Sequence, residues 1–218
     1  MLGLPDGIGA CLFDLDGVLT KTAAVHARAW AQTFADYGFT DDDYNEYVDG
    51  KPREDGVRDF LASRGAHPGE AEIHAIGERK NALVQQLIRD EGVEAYDGSR
   101  AYLEAAERAG LRRAVVSSSH NAAAVLDAAG LSRFIEVRVD GHDTGLRGKP
   151  APDTFLEAAR RLEHEPARCA VFEDALAGVE AGRAGGFGCV VGVDRVGHRD
   201  ALLAHGADVV VEDLAELL

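Results

Sequence analysis

A chain of 218 residues with 38 Asp and Glu against 23 Lys and Arg has a formal net charge of −15, which argues against a nucleic-acid binder or a ligand of anionic membranes. Both gain affinity when basic side chains neutralise phosphates. The length suffices for one sizeable core and a smaller lobe, no run approaches the ~18 apolar residues of a membrane helix, and no basic, apolar leader opens the chain, so a cytoplasmic protein is expected.

The first apolar run, ACLFDLD at 10–16, ends in Asp14 and Asp16. From about Thr20 to Glu94 no buried strand is legible, only helix-period patterns such as AAVHARAWAQTFADYG, DGVRDFLASRG and EAEIHAIGERKNALVQQLIRDEG. Four further apolar runs follow: RAVVSSS at 113–119, CAVFED at 169–174, GCVVGVD at 188–194 and ADVVVED at 207–213. Between them lie helical patterns at 99–110, 120–130, 151–162 and 175–185. Short runs without alternation suit strands covered on both faces, and their alternation with helices predicts a doubly wound parallel α/β sheet, Rossmann-like in class. The expected division is a discontinuous core of residues 1–19 and 95–218 around a helical insert of residues 20–94, which serves as a lid or simply covers one sheet face. Cys11, Cys169 and Cys189 sit among apolar neighbours and are expected as small buried hydrophobes of a reducing compartment.

Ligands of open α/β sheets bind at the carboxyl ends of strands. Asp14 and Asp16 at such an end can hold a hard cation, divide labour as nucleophile and acid/base, or form a solvated turn. An EF-hand is excluded, because Val18 and Leu19 fall where that loop needs a ligand and a glycine. Ser117, Ser118 and Ser119, followed by His120 and Asn121, offer hydroxyls and free N–H groups for an anion, or simply cap a helix. Lys149 precedes the prolines of RGKPAPDTF, and Glu173 and Asp174 form a second acidic pair. Four carboxylates, hydroxyls and one lysine in a single crevice fit metal-assisted phosphoryl chemistry, since four uncompensated carboxylates cannot share a pocket cheaply. Neither a Walker loop nor a GxSxG elbow occurs.

With LFDLDGVLT, VVSSS, GKPAPDTF and VFEDALAGVEAG in this order, the sequence resembles the haloacid dehalogenase-like phosphotransferase superfamily from about Cys11 to Val193. The resemblance implies an aspartyl-phosphate on Asp14 and a general acid/base in Asp16. It also implies Mg²⁺ held by the Asp14 carboxylate, the Asp16 backbone carbonyl and Asp174 with Glu173 at or near it, and Ser117 and Lys149 on the transferring phosphoryl group. The insert is similar to that of the β-phosphoglucomutase family through His26 in HARAW, Gly50, Lys51 and Arg53 in DGKPRED, and Lys80 in ERKN, together with Ser119 to Asn121 of the core.

That similarity implies a substrate-binding set of His26, Gly50, Lys51, Arg53, Lys80, Ser118, Ser119, His120 and Asn121. Within it Arg53 and the Ser119–Asn121 segment grip a distal phosphate, and His26 and Lys80 align Asp16. His120 stands where some members have Lys, and Ala175 where Ser or Thr is frequent. The implied activity is interconversion of β-glucose 1-phosphate and glucose 6-phosphate through glucose 1,6-bisphosphate, by a monomer. A small sugar-phosphate phosphatase is the alternative.

Overall fold

The computed structural model describes residues 2–218. Six parallel strands, β1 (Ala10–Phe13), β2 (Arg112–Val116), β3 (Val137–Val139), β4 (Cys169–Glu173), β5 (Cys189–Val193) and β6 (Val209–Val211), form one sheet in the order β3-β2-β1-β4-β5-β6. Successive side chains point to opposite faces, so each apolar run supplies two cores. Cys11, Phe13, Val115 and Phe172 pack under α5 (Asp97–Arg108) and α6 (Ala122–Ala128). Ala10, Leu12, Val116 and Val171 pack under α7 (Asp153–Arg161) and α8 (Leu176–Ala184), while α8 and α9 (Arg199–His205) cover Val190 and Val210. The expected parallel α/β class is therefore observed, with Phe13 stacked on Phe172 at 4.5 Å. All three cysteines are free and buried in these layers.

Two details depart from the sequence reading. β1 stops at Phe13 and β2 at Val116, before the polar residues that end their runs, so Asp14, Asp16 and the serines fall in loops, whereas β4 runs through Glu173. The edge strand β3 and the helix α9 have no counterpart among the apolar runs and helical patterns of the sequence. In β3 the apolar signal is only three residues long and is interrupted by Arg138, as a short edge strand permits.

Between β1 and α5 the chain is helical: α1 (Ala23–Thr33), α2 (Asp41–Asp43) running into a π-turn at Tyr44–Val48, α3 (Arg53–Ser63) and α4 (Glu70–Glu91). No strand interrupts them, only isolated bridges pairing Thr20 with Asp16 and with Ala95 where the segment leaves and rejoins the sheet. Trp30, Phe34, Val48, Val57, Phe60 and Ile73 give this insert a cluster of its own, with Phe34 against Phe60 at 4.4 Å. Burial of each aromatic contributes roughly 1.5–3 kcal/mol. The buried stripe of α4 runs Ile73, Ile76, Lys80 and Val84, at helical spacing but with a lysine in an apolar position. Among the described residues no helix is long and apolar enough to cross a membrane.

Candidate active site

The strand order reverses between β1 and β4, and their carboxyl ends open a crevice there. Asp14 stays in register just past β1 because its N–H donates to Phe172 O at 2.9 Å, which sets it beside Glu173. Lys149 enters from the loop before α7. Its Nζ lies 2.5 Å from Asp14 Oδ1, 2.5 Å from Glu173 Oε1 and 3.1 Å from Val116 O, at 2% exposure. Burial alone would lower the Lys149 pKa, but Asp14 and Glu173 outweigh it and hold the ammonium charged. The Glu173 contact is an ion pair without hydrogen-bond alignment, so Oε1 has no directed donor.

One ammonium does not balance the carboxylates around it. Burial raises Asp14, with Asp16 adding and Lys149 opposing, and it pushes Glu173 up to about 8. Asp174 is raised well above the carboxylate range by burial, then by the charges of Asp49, Asp14 and Glu173. One oxygen from each of Asp14, Glu173 and Asp174 lies within 4.8 Å of the others. A hard, oxygen-only donor set with surplus negative charge fits a divalent cation such as Mg²⁺. The Asp16 carboxylate stands outside this set, which leaves only its backbone for the metal role expected of it. The loop leaves room for the arrangement through Gly17, at φ +88°, where an added Cβ would lie 1.7 Å from Asp174 Oδ2.

Across the crevice Asp16 accepts a short hydrogen bond from the Thr22 hydroxyl, and His26 Nε2 stands 3.6 Å from its Oδ1. Lys80 Nζ donates to His26 Nδ1 at 2.9 Å and sits 4.6 Å from the Trp30 ring centroid. While Lys80 is protonated it can only donate, which makes Nδ1 the acceptor and leaves the ring proton on Nε2, facing Asp16. Burial and the neighbouring Lys80 push His26 well below its usual range. Burial lowers Lys80 to about 7 against the pull of Asp16. Asp16 itself is raised by burial, against the Thr22 hydrogen bond and the two lysines, so it can carry a proton nearer neutrality than a solvated carboxyl.

The insert lies closed on the core. Ser118 Oγ donates to Gly50 O at 2.7 Å, and Asn121 bonds Asn81 at 2.9 Å and Gln85 at 3.1 Å. Gly50, at φ +69°, comes so near α8 that an added Cβ would lie 2.8 Å from the Ala175 Cβ. Arg53 pairs with Glu78 at 2.5 Å while its buried Nε has no partner. The Ser117 and Ser119 oxygens each accept a backbone N–H two residues on, forming a tight turn before α6. His120 packs edge-on against His142 at 4.7 Å, and burial, Arg53 and His142 lower its pKa.

The fold thus gathers all fifteen residues singled out in the sequence. Thirteen line one crevice, and Lys149 and Glu173 lie buried behind Asp14. Their availability differs. The Lys51 ammonium is turned to Asp59 at 2.8 Å, and the Ser118 hydroxyl and Asn121 amide hold the insert to the core. Thr22, Trp30, Tyr44, Asp49 and Asn81 belong to the site or its wall and were not singled out. Trp30 lies four residues after His26 on α1, and Asn81 adjoins Lys80, signals that a helical-face count would have caught. Asp49, pushed up to about 6 by burial and by Asp14 and Asp16, carries no sequence signal beyond its place next to Gly50.

The family model of haloacid dehalogenase-like hydrolases matches residues 8–186. A β-phosphoglucomutase of Mycobacterium bovis is 51% identical across 100% of this chain and 94% of its own length, and one of Bacillus subtilis is 35% identical across 95% and 91%. Among solved structures, a Clostridium difficile β-phosphoglucomutase superposes with a TM-score of 0.84 at 29% identity, covering 97% of this chain and 93% of its own. A CbbY mutant of Rhodobacter sphaeroides, in complex with xylulose-(1,5)bisphosphate, superposes with a TM-score of 0.80 at 27% identity, covering 96% of each chain.

Proposed function

Because the chain belongs to the β-phosphoglucomutase family of haloacid dehalogenase-like hydrolases, we propose that it interconverts β-D-glucose 1-phosphate and D-glucose 6-phosphate through an aspartyl-phosphate and β-glucose 1,6-bisphosphate. The observation that carries the reading is a second anion grip. Arg53, with its unpartnered buried Nε, and the turn from Ser117 to Asn121 line the same crevice as Asp14 and Asp16. Hydrolysis of a monophosphate needs no such grip, whereas a bisphosphate must be held at both ends. We further propose that residues 20–94 form a cap domain that closes on a core of residues 1–19 and 95–218, and that the enzyme acts as a cytoplasmic monomer.

In this scheme Asp16 takes the proton of the C6 hydroxyl of β-glucose 1-phosphate as that oxygen attacks the phosphorus carried by Asp14. The bisphosphate turns over, Asp14 attacks the phosphorus on C1, and Asp16 returns its proton to the departing C1 oxygen. Lys149, fixed against Asp14 and Val116 O, stabilises negative charge on the transferring oxygens without having to reorganise. Ser117 would donate to the same oxygens, while Thr22 and His26 hold Asp16 in line. Arg53 suits the distal phosphate because its planar fork can bind two oxygens at once. Magnesium, held by Asp14, the Asp16 carbonyl, Asp174 and at or near Glu173, supplies when bound the charge neutralisation that the site's own cations do not.

The test is a coupled assay with Mg²⁺, β-glucose 1-phosphate and a trace of glucose 1,6-bisphosphate, in which glucose 6-phosphate dehydrogenase reduces NADP. The mutase predicts NADPH formation with little free phosphate. Stoichiometric phosphate release without glucose 6-phosphate would replace this reading with a sugar-phosphate phosphatase.

A further inference from the structure

Asp49 is the one crevice carboxylate contributed by the insert rather than by the sheet. It precedes Gly50, which packs against Ala175, the residue after Asp174, and Asp49 and Asp174 line the same crevice and the same adjoining cavity, so closing the cap brings the Asp49 charge toward the core acidic cluster. Asp49 also lies on a particular side of the site. It borders both the crevice and an adjoining cavity walled by Tyr44 and Asp174, and it is absent from the cleft that runs past Arg53 and His120. It therefore faces the cation side rather than the distal-phosphate side.

Without a cation, this juxtaposition opposes closure, because a fifth carboxylate is pressed toward Asp14, Asp16, Glu173 and Asp174, whose charge the Lys149 ammonium only partly balances. With a divalent cation between the core carboxylates the sign reverses, and Asp49 is attracted by the ion or by the water around it. We propose that Asp49 is a positioning residue that makes cap closure and divalent-cation binding mutually dependent. Linkage is reciprocal: whatever factor the cation adds to closure, closure adds to cation affinity. An open cap would then go with an empty cation site, so that substrate is enclosed only when the site is loaded. The inference rests on the metal-dependent phosphoryl-transfer reading, but its readouts do not involve turnover.

The experiment uses the full chain at pH 8, where the Asp49 carboxylate is ionised, with Mg²⁺ as the only ligand. Small-angle scattering reports the cap, and competition with a fluorescent chelator reports Mg²⁺ affinity. In the wild type, Mg²⁺ should reduce the radius of gyration. Asp49→Asn should be compact already without Mg²⁺, should show little further change, and should bind Mg²⁺ about five- to tenfold more weakly. Asp49→Glu, which keeps the charge, should restore most of both effects, and Asp42→Asn, on the wall of the adjoining cavity, should behave as wild type. Equal Mg²⁺ affinity in wild type and Asp49→Asn overturns the proposal. So does a wild-type radius that ignores Mg²⁺, or an Asp42→Asn effect as large as that at position 49. A chain that forms no glucose 6-phosphate yet shows the linked closure would lose the mutase reading and keep this one.

Discussion

Lys80→Met tests the electrostatics of the insert most directly. Lys80 is 5% exposed, lies in the apolar stripe of α4 over Trp30, and donates to His26. Burial lowers its pKa from 10.5 to about 7, with Asp16 and Asp49 pulling the other way. Between those two values the unfolded chain binds the proton and the folded chain does not, so this group makes the protein more stable as pH rises. Below about pH 7 both states are protonated and the destabilisation is constant. Integrating the linkage from pH 7 to pH 9 gives a gain of about 2 kcal/mol for the wild type. Methionine fills a similar volume without a titrating group, so the variant lacks that gain and serves as the reference for every other titration in the chain. The assay is urea unfolding of both proteins in EDTA at pH 7 and pH 9. A wild-type minus variant difference that is flat, or that falls with pH, would refute the claim that Lys80 is held near neutrality by burial.

Three further outcomes follow from the same geometry. Arg53→Ala should reduce turnover of the bisphosphate far more than hydrolysis of acetyl phosphate, since only the former needs a distal grip, and equal losses in the two assays would point to misfolding. Gly17→Ala places a methyl 1.7 Å from Asp174 Oδ2 at φ +88°, so it should cost at least 1 kcal/mol on denaturant titration, about the scale of a strained backbone, and abolish Mg²⁺ binding in the chelator assay. Asp174→Asn removes a carboxylate that the fold holds well above its usual pKa. In EDTA at pH 8 its melting temperature should therefore exceed that of the wild type by several degrees, at about 2–4 °C per kcal/mol, while Mg²⁺ should raise only the wild-type value.

The charge of −15 acquires a local meaning in the structure. A sugar phosphate approaches an acidic molecule, and screening over ~8 Å at physiological salt limits the repulsion. Inside the crevice the sign is set by Lys149, Lys80, Arg53 and the cation that Asp14, Glu173 and Asp174 are arranged to hold. Two of the chain's four lysines, Lys80 and Lys149, are buried there, and their burial makes them sensitive to neighbours in a way that surface lysines are not.

The five apolar runs were legible because β-branched residues bounded by Asp, Ser and Gly carry both the strand and its end within a few residues, and the helical insert was legible from its 3.6-residue spacing. The edge strand β3 was not, since three residues around Arg138 hold no periodic signal. Asp14, Ser117 and Asp174, the residues proposed to carry the chemistry, share their addresses with strand ends, so the local string is enough to single them out. Pairing did not follow from any string. Lys149 meets Asp14 across 135 residues of sequence, Ser118 meets Gly50 across 68, and Lys80 meets His26 across 54. Those contacts depend on the register β1↔β4 and on how the insert docks. Asp49 is the clearest case: on the chain it is one acid among 38, and only the docking of the insert puts it in one crevice with Asp14, Asp16 and Asp174. Side-chain type and spacing determine which groups are present at a strand end, whereas long-range packing decides which charges must share one low-dielectric space.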